Sequence, residues 1–271
     1  MKKIDILLAW VFLAVFQGPA FAVDFYDGVR SPEGLYFLTY SSFYDAGRFT
    51  GAKGNTSNKD YGYRKFEELF RLCYYHKDLV FTVLLPAGDV RSGFYDVSSK
   101  GLGDVNLGAG GFLPVKQMDI LPMLFVKFPT GEYDVSRKVN YGSDQYDIKP
   151  TVFFYKEMGN FSFDGAAKYL FRMENPKTDI APGDELHLQG LLGWKFSRFC
   201  KAGPSLSWMK SSCQEFNGNK IRGTGREYLS AGAEVYFRFP LVRVTLSYLR
   251  DVSAKNTTKG DFYQVKTCYK F

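Results

Sequence analysis

Residues 261–271 read Asp-Phe-Tyr-Gln-Val-Lys-Thr-Cys-Tyr-Lys-Phe, and this stretch decides the fold. Tyr263, Val265 and Tyr269 share one face with Phe271, whereas Gln264 and its neighbours at every second position form a mostly polar face. A period of two residues is typical of a β-strand with one apolar and one polar side. The segment therefore predicts an amphipathic strand.

The same alternation recurs throughout the chain. We place twelve predicted strands at about 34–46, 61–76, 79–88, 101–115, 118–128, 144–157, 160–174, 184–196, 199–213, 225–239, 241–251 and 261–271. Aromatic residues make up 18% of the sequence, and leaving so many of them in water makes disorder unfavourable. Each predicted strand has at least the ~9–11 residues that a tilted strand needs to cross a bilayer. The pattern indicates an all-β protein that can span a membrane.

The connections between these strands alternate in length. Short turns are predicted near His76-Lys77-Asp78, Lys116-Gln117, Gly159-Asn160, Ser197-Arg198 and Pro240. Long polar connections are predicted at 47–60, 89–100, 129–143, 175–183, 214–224 and 252–260. Transmembrane barrels show this asymmetry, with short periplasmic turns and long extracellular loops, and a soluble sandwich has no reason for it.

The N-terminus predicts export. Lys2 and Lys3 precede an apolar run from Ile6 to Phe16, and Ala20-Phe21-Ala22 fits the small-x-small cleavage pattern. The run is too short for a membrane helix, so we interpret residues 1–22 as a cleaved signal peptide. Residues 23–271 are then a single barrel domain.

Aromatic residues near the predicted strand ends favour lipid contact. We assign Tyr36, Tyr40, Tyr74, Trp194, Trp208, Tyr248 and Tyr269 to the interfacial girdles of a membrane barrel. Tyr269 and Phe271 resemble the terminal assembly signal of Gram-negative barrels, which implies the barrel-assembly machinery as a partner. The predicted fold is an antiparallel transmembrane β-barrel of about twelve strands. We expect a monomer in the cell outer membrane, in contact with lipid and lipopolysaccharide.

Two motifs in the middle of the chain resemble a known family. Residues 101–108 read Gly-Leu-Gly-Asp-Val-Asn-Leu-Gly, and residues 127–131 read Lys-Phe-Pro-Thr-Gly. A Gly-x-Gly-Asp strand entry followed by a Pro-Thr-Gly strand exit is similar to the outer-membrane barrels of the "MetA-pathway of phenol degradation" family. The resemblance implies a transporter of hydrophobic or aromatic small molecules. For the motif residues, a structural role is favoured over substrate contact.

Enzymatic and nucleic-acid signatures are missing from the sequence. The glycine-rich stretches at 101–110 lack the spacing of a dinucleotide loop, and no Walker or G-x-S-x-G motif occurs. His76 and His187 are the only histidines, and no cysteine pair has zinc-finger spacing. The net charge of +7 is scattered rather than gathered in a basic stripe. We expect no catalytic residue, metal, cofactor or nucleic acid, and an outer-membrane lipase-like enzyme stays as an alternative.

The polar strand faces carry both signs of charge and should line the lumen. The predicted lumen charge network is Glu67, Arg71, Asp104, Lys127, Asp164, Lys168, Arg172, Glu185, His187, Lys195, Glu234 and Arg243. Mixed charges across a narrow barrel can either line a polar path or interlock as a plug. A plugged structural barrel without transport is therefore a second alternative.

One strip of the predicted inner wall is apolar. Leu121, Met123 and Phe125 take the inward parity on the fifth predicted strand, and Phe153 and Tyr155 do so on the sixth. A small hydrophobic solute would gain free energy by contact with such a strip. We predict that these five residues form the substrate path, and local packing explains them equally well.

Overall fold

Alternating apolar and polar side chains require a sheet with two unlike faces, and the chain builds one closed sheet of this kind. A computed structural model describes residues 23–57 and 61–271. The predicted signal peptide, residues 1–22, lies outside the described residues. Within the described part, no helix has the length and apolar character that a membrane span requires.

The strands follow one another as an antiparallel meander. In chain order, the described residues form β1 (Gly34–Thr50), β2 (Tyr63–His76), β3 (Leu79–Ser92), β4 (Val97–Leu102), β5 (Asn106–Gly111), β6 (Asp119–Lys127), β7 (Asp147–Met158), β8 (Phe161–Arg172), β9 (Ile180–Ala181), β10 (Glu185–Lys195), β11 (Cys200–Ser211), β12 (Glu215–Phe216), β13 (Asn219–Lys220), β14 (Glu227–Arg238), β15 (Arg243–Lys255) and β16 (Thr257–Lys270). The two-residue segments β9, β12 and β13 form a small separate sheet. Because β4 and β5 both pair with β3, they act as two halves of one strand.

The barrel therefore has twelve strands, as predicted. It closes where the first strand, β1, pairs with the last, β16, with Tyr36 opposite Lys270. Each of the twelve strands thus has a neighbour on both sides, as a membrane-spanning sheet requires, and only the β4 segment pairs on one side alone, with β3. The predicted transmembrane barrel is confirmed.

Side chains alternate between a buried lumen and an exposed outer surface. On β16, Phe262 is 5% exposed and faces inward, whereas Tyr263 is 49% exposed and faces outward. The outer surface carries large apolar side chains on most strands; examples are Phe66, Phe70, Leu72, Phe81, Val83, Leu124, Phe171, Leu188, Leu192, Leu206, Leu246 and Val265. So extensive an apolar belt would be unfavourable in water, whereas it is suited to contact with lipid. The apolar belt indicates a barrel that spans a membrane.

The aromatic girdle assignment is correct in part. Tyr74, Trp194, Tyr248 and Tyr269 are exposed on the outer surface, and Trp208 has the same outward parity but is half-buried. Tyr36 and Tyr40 were assigned wrongly, because even-numbered residues of β1 face the lumen. Tyr36 is only 2% exposed, and its hydroxyl donates a hydrogen bond to the carbonyl of Pro32 at 2.7 Å.

A β-bulge separates β4 from β5. Ala87 pairs with Leu102 and Leu84 pairs with Asn106, so the β4–β5 strand holds one residue more than β3 across this interval. The extra residue reverses the strand parity at the bulge. Gly101, with φ of 150°, adopts a backbone conformation that side chains rarely take. The first family-like motif therefore encodes a bend in the barrel wall.

The two ends of the barrel differ in the length of their connections, although less than predicted. We call the end at which β1 begins, β16 ends and the short turns lie the turn end. The opposite end is the loop end. The predicted long connections at 89–100 and 252–260 are wrong, since β3 runs to Ser92, β4 starts at Val97, and β15 and β16 meet at Asn256. Polar composition indicated loops there, but backbone pairing continues through both segments, and their inward side chains, such as Ser92 and Thr257, stay buried. Long connections do join β6 to β7, β8 to β10 and β11 to β14.

We expect the loop end to face the outside of the cell. An epitope tag inserted between Arg137 and Lys138, both exposed, should bind antibody on intact cells. A tag between Lys116 and Gln117, exposed at the turn end, is the matched control and should bind only after the outer membrane is permeabilised. The reverse pattern would overturn this orientation.

Candidate functional site: the barrel lumen

The N-terminal segment occupies the lumen. Residues 23–33, which we call the plug, enter the barrel from the turn end, and Val23, Asp24 and Phe25 are almost completely buried. The backbone nitrogens of Phe25 and Tyr26 donate hydrogen bonds to Glu234 at 3.2 Å and to Asp164 at 2.7 Å. Two of the predicted wall carboxylates therefore hold the plug rather than lining an open path.

The side chains of the plug contact charged groups on the wall. Asp24 accepts hydrogen bonds from Gln264 Nε2 at 2.9 Å and from Ser247 Oγ at 3.2 Å. Lys266 Nζ lies 3.6 Å from the carboxylate of Asp24 and also forms an ion pair with Asp27. These buried, charge-assisted contacts anchor the plug to β15 and β16.

Aromatic rings of the plug surround a second buried lysine. Lys201 Nζ lies 4.1 Å from the ring centroid of Phe25 and 4.0 Å from that of Tyr26, and it pairs with Asp164 at 3.2 Å. Cation–π contacts are strongest in such desolvated places. The plug is therefore tied to opposite sides of the lumen.

A chain of ion pairs crosses the wall nearer the loop end. Lys127 lies 3.6 Å from Asp104 and 2.7 Å from Asp147, and Arg172 lies 3.9 Å from Asp147 and 2.8 Å from Glu185. Glu185 also pairs with Arg226 and with His187, the latter at 2.8 Å. Because each charge has an oppositely charged neighbour, this chain can be buried without an uncompensated ion.

The family-like motifs hold a loop over the mouth of the barrel. We call residues 128–146, between β6 and β7, the mouth loop. Asp104 accepts a hydrogen bond from the backbone nitrogen of Gly131 at 3.0 Å, and Thr130 Oγ1 accepts one from Val105 at 2.9 Å. A Cβ atom on Gly131 would come within 2.9 Å of the backbone of Gly103 and of Gly142. The contacts of both motifs are thus structural.

A cavity of about 240 Å³ lies between the plug and the mouth loop. Asp27 of the plug borders it, and Asp27 also borders a smaller pocket of about 40 Å³ whose lining includes Tyr36 and Tyr75. Tyr141 of the mouth loop donates a hydrogen bond to Glu67 at 2.8 Å and covers the cavity from the loop end. The plug therefore separates two compartments of the lumen.

The predicted apolar strip faces inward but divides into two parts. All five of its residues are buried. Phe125 and Phe153 border the cavity, whereas Leu121 and Met123 pack within the apolar core of the wall. Tyr155 lies against Tyr26 of the plug, with 5.7 Å between the ring centroids. Two of the five residues are therefore accessible to a solute in the cavity.

The remaining predicted charges have varied surroundings. Arg71 and Lys168 border the cavity, as does Glu67, which lies 2.7 Å from Lys65. Lys195 pairs with Glu157 where both strands reach the turn end, away from the cavity. Arg243 borders the smaller pocket. These residues thus do not form one continuous network.

Sequence reasoning missed several residues of the lumen. Asp147, Lys149 and Lys201 have inward parity on their strands, so alternation could have found them. The plug had no such signal, because residues 23–33 lack periodicity. The plug lies in the lumen because it directly precedes β1 and because carboxylates and lysines of distant strands bind it.

Comparisons with known proteins agree with this architecture. The model of the family described as "Putative MetA-pathway of phenol degradation" matches residues 46–267. The COG4313 outer membrane channel of Pseudomonas putida F1 is 16% identical, with a TM-score of 0.84 over 92% of this chain and 100% of that one. No curated protein matched the sequence.

Two other solved barrels are similar at a greater distance. The NanC porin is 8% identical, with a TM-score of 0.52 over 87% of this chain and 100% of its own. The translocator domain of the autotransporter NalP from Neisseria meningitidis is 11% identical, with a TM-score of 0.51 over 89% of this chain and 90% of that one. At these identities the likeness shows the barrel fold alone.

Weakening the anchor of the plug should open the lumen. Replacing Asp24 and Asp27 together by Asn removes the charges that pair with Lys266. Hydrogen bonds to charged groups contribute ~1.5–3 kcal/mol each, so we expect about a tenfold or larger increase in open-state population in planar bilayers. Asp45→Asn, which removes an exposed pair with Arg64, is the control. Equal conductance in all three proteins would mean that the plug is not a gate.

Proposed function

Because the chain belongs to the "Putative MetA-pathway of phenol degradation" family, we propose that it is an outer-membrane channel for small hydrophobic or aromatic molecules. The observation that carries the proposal is the cavity of about 240 Å³, walled in part by Phe125 and Phe153. Its volume lies just below the ~300–1,000 Å³ of typical small-molecule sites. It therefore suits a solute of about one aromatic ring.

The physical basis for selecting such a solute is desolvation. Moving an aromatic molecule from water onto apolar side chains gains roughly 25 cal/mol per Å² of buried apolar surface. Phe125 and Phe153, together with Leu84 and Leu170, provide that surface within a wall that is otherwise polar. A purely polar lining would not favour an aromatic solute over water.

The way the plug is held supports a gate rather than a permanent seal. Residues 24–33 belong to none of the strands, and their anchors are side-chain hydrogen bonds and ion pairs. Withdrawal of the plug would leave the backbone ladder of the barrel intact. Segments attached in this manner open at lower free-energy cost than the sheet itself.

We propose transport rather than catalysis. A lipase-like barrel needs a histidine beside a serine at the outer rim, whereas His187 faces the lumen and is hydrogen-bonded to Glu185. Glu185 in turn belongs to the ion-pair chain of the wall. The surroundings of His187 are those of a structural side chain.

Uptake by whole cells tests the channel. We compare cells with the wild-type barrel, with Phe125→Asn, with Phe125→Leu and with no barrel, using radiolabelled toluene. Phe125→Asn should reduce uptake several-fold, because it replaces apolar contact surface with an amide. Phe125→Leu keeps an apolar side chain and should retain most of the uptake.

Two outcomes would count against this reading. If cells with and without the wild-type barrel take up toluene equally, hydrophobic transport is wrong. If Phe125→Asn matches the wild type while both exceed the barrel-free cells, transport stands, and the assignment of Phe125 to the solute path is wrong.

Export and assembly complete the proposal. We propose that the signal peptide is removed after Ala22, which would place the new amino terminus at Val23, inside the lumen. The barrel would then be inserted as a monomer by the barrel-assembly machinery, among lipid and lipopolysaccharide. Tyr269 and Phe271 are exposed on the outer surface near the end of β16, where another protein could contact them.

Deleting Phe271 should reduce the amount of folded barrel in the outer membrane several-fold. The backbone nitrogen of Phe271 donates a hydrogen bond to the carbonyl of Leu35 at 2.9 Å, so the deletion also removes one contact at the strand closure. Phe271→Ala keeps that bond and isolates the side chain. Wild-type levels of folded Phe271→Ala would exclude the side chain as an assembly signal.

A further inference from the structure

The outer surface carries a basic patch at the loop end. Arg64 on β2 and Arg91 on β3 share the outward parity of Phe66 and Val83, and their side chains are 63% and 69% exposed. The strand register places Arg64 directly opposite Arg91. Two cations in directly opposite positions of a sheet repel one another, so this pairing is unfavourable unless anions compensate it.

The neighbouring strands add further cations. Arg48 near the end of β1 lies opposite Lys259 of β16, and Lys100 of β4 lies opposite Asp89 of β3. Arg48 and Lys100 are exposed, whereas Lys259 is half-buried and donates a hydrogen bond to the carbonyl of Val252 at 2.7 Å. We call the five outward cations on these neighbouring strands the rim patch: Arg48, Arg64, Arg91, Lys100 and Lys259.

Carboxylates on the same outward faces compensate the rim patch only in part. Asp45 lies 3.5 Å from Arg64, and Asp89 lies 3.2 Å from Arg91. Asp261 lies 3.8 Å from a cation of β15 that is outside the patch. These pairs neutralise the two central arginines, so the other members leave the rim patch with an excess of positive charge.

The central arginines can still bind an anion. The contact of Arg64 with Asp45 involves Nε at 3.5 Å, and most of the arginine side chain is exposed. The planar guanidinium carries five N–H donors and can offer two parallel hydrogen bonds to a phosphate group. A phosphate between Arg64 and Arg91 would accept hydrogen bonds from both side chains and would remove their mutual repulsion.

An aromatic row borders the rim patch on the side of the apolar belt. Tyr263 of β16, Phe43 of β1 and Phe66 of β2 are exposed and lie opposite one another in the strand register. Arg64 is the next outward residue after Phe66 on β2. The surface thus changes within one step from apolar rings, which suit acyl chains, to cations, which suit phosphate. A ligand that matches both parts is an anionic lipid.

The width of the rim patch indicates a large headgroup. The patch extends from β16 across β1, β2 and β3 to β4, which at ~4.8 Å between strands is about 20 Å. In the proposed orientation the loop end lies in the outer leaflet, where the anionic lipid is lipopolysaccharide. We propose that the rim patch is a binding site for the phosphorylated lipid A of lipopolysaccharide, with its phosphates on the cations and its acyl chains on the aromatic row. This inference rests on the proposed orientation and assigns that lipid a site.

Binding of lipid A to the purified, full-length barrel tests the proposal. Native mass spectrometry of the protein in detergent, with EDTA present to remove bridging divalent cations, gives the dissociation constant of each lipid. We expect diphosphoryl lipid A to bind at least about fivefold more tightly than monophosphoryl lipid A or phosphatidylglycerol, because each of these brings fewer phosphates to the patch. Inorganic phosphate at millimolar concentration lacks acyl chains and should not displace lipid A.

Matched variants assign the site. Replacing Arg64 and Arg91 together by Gln should weaken binding of diphosphoryl lipid A about tenfold or more, since each basic residue at an anionic lipid surface contributes about fivefold in affinity. Both side chains are exposed, so the variant should fold, and heat-modifiable migration in electrophoresis checks this. The control, Lys116→Gln with Arg198→Gln, removes exposed cations from the turn end and should bind like the wild type.

Several results would overturn the lipid A site. They are wild-type affinity in the Arg64 and Arg91 variant, an equal loss in the turn-end control, and phosphatidylglycerol binding as tight as that of diphosphoryl lipid A. Displacement by inorganic phosphate would assign the patch to free phosphate instead. Epitope labelling that places the loop end in the periplasm would overturn the orientation and the lipid site together, whereas loss of rim dependence with the loop end outside would overturn the lipid site alone.

Discussion

The structure depends on closure of the backbone ladder. A strand in lipid has no water to satisfy its peptide groups, so every amide and carbonyl must pair with a neighbouring strand. The pairing of the first strand, β1, with the last, β16, completes the ring and gives each of the twelve strands a neighbour on both sides. Once the ring is closed, the two-residue period places each side chain either in lipid or in the lumen, and the chemistry of the site follows from that division.

Burial inside a narrow ring then controls the polar residues. Charges on the inward face lose most of their water, so they are stabilised only with partners. The chain from Asp104 through Lys127, Asp147, Arg172 and Glu185 meets this requirement across four strands and the bulge. It also carries the mouth loop, since Asp104 both pairs with Lys127 and caps Gly131. One carboxylate thus links the wall to the cover of the cavity.

The plug divides the lumen into two compartments. Asp24 and Asp27 join it to Lys266, and its aromatic residues enclose Lys201. The cavity above it is bordered by the rings of Phe125 and Phe153 within a wall that is otherwise polar. The plug and the cavity share one electrostatic environment, because Asp27 borders both compartments of the lumen.

The sequence by itself determined the barrel. Alternation in stretches such as 261–271 fixed the strand number and the inward parity of Phe125, Phe153, Arg71 and Lys168, because a period of two leaves only one choice of face. It failed near Ser92 and Asn256, where the strands continue although both of their faces carry many polar residues, because polar composition on both faces no longer distinguishes strand from loop.

Only the tertiary structure decided what fills the lumen. The contacts of Asp24 with Gln264 and of Phe25 with Glu234 join residues more than two hundred positions apart, and no local pattern encodes such pairs. The same holds for the meeting of Gly103 with Gly131, and for the cavity that brings Arg71 of β2 to the same space as Lys149 and Lys168 of β7 and β8. Alternation specifies which face a side chain takes, whereas its partners across the lumen depend on closure of the ring.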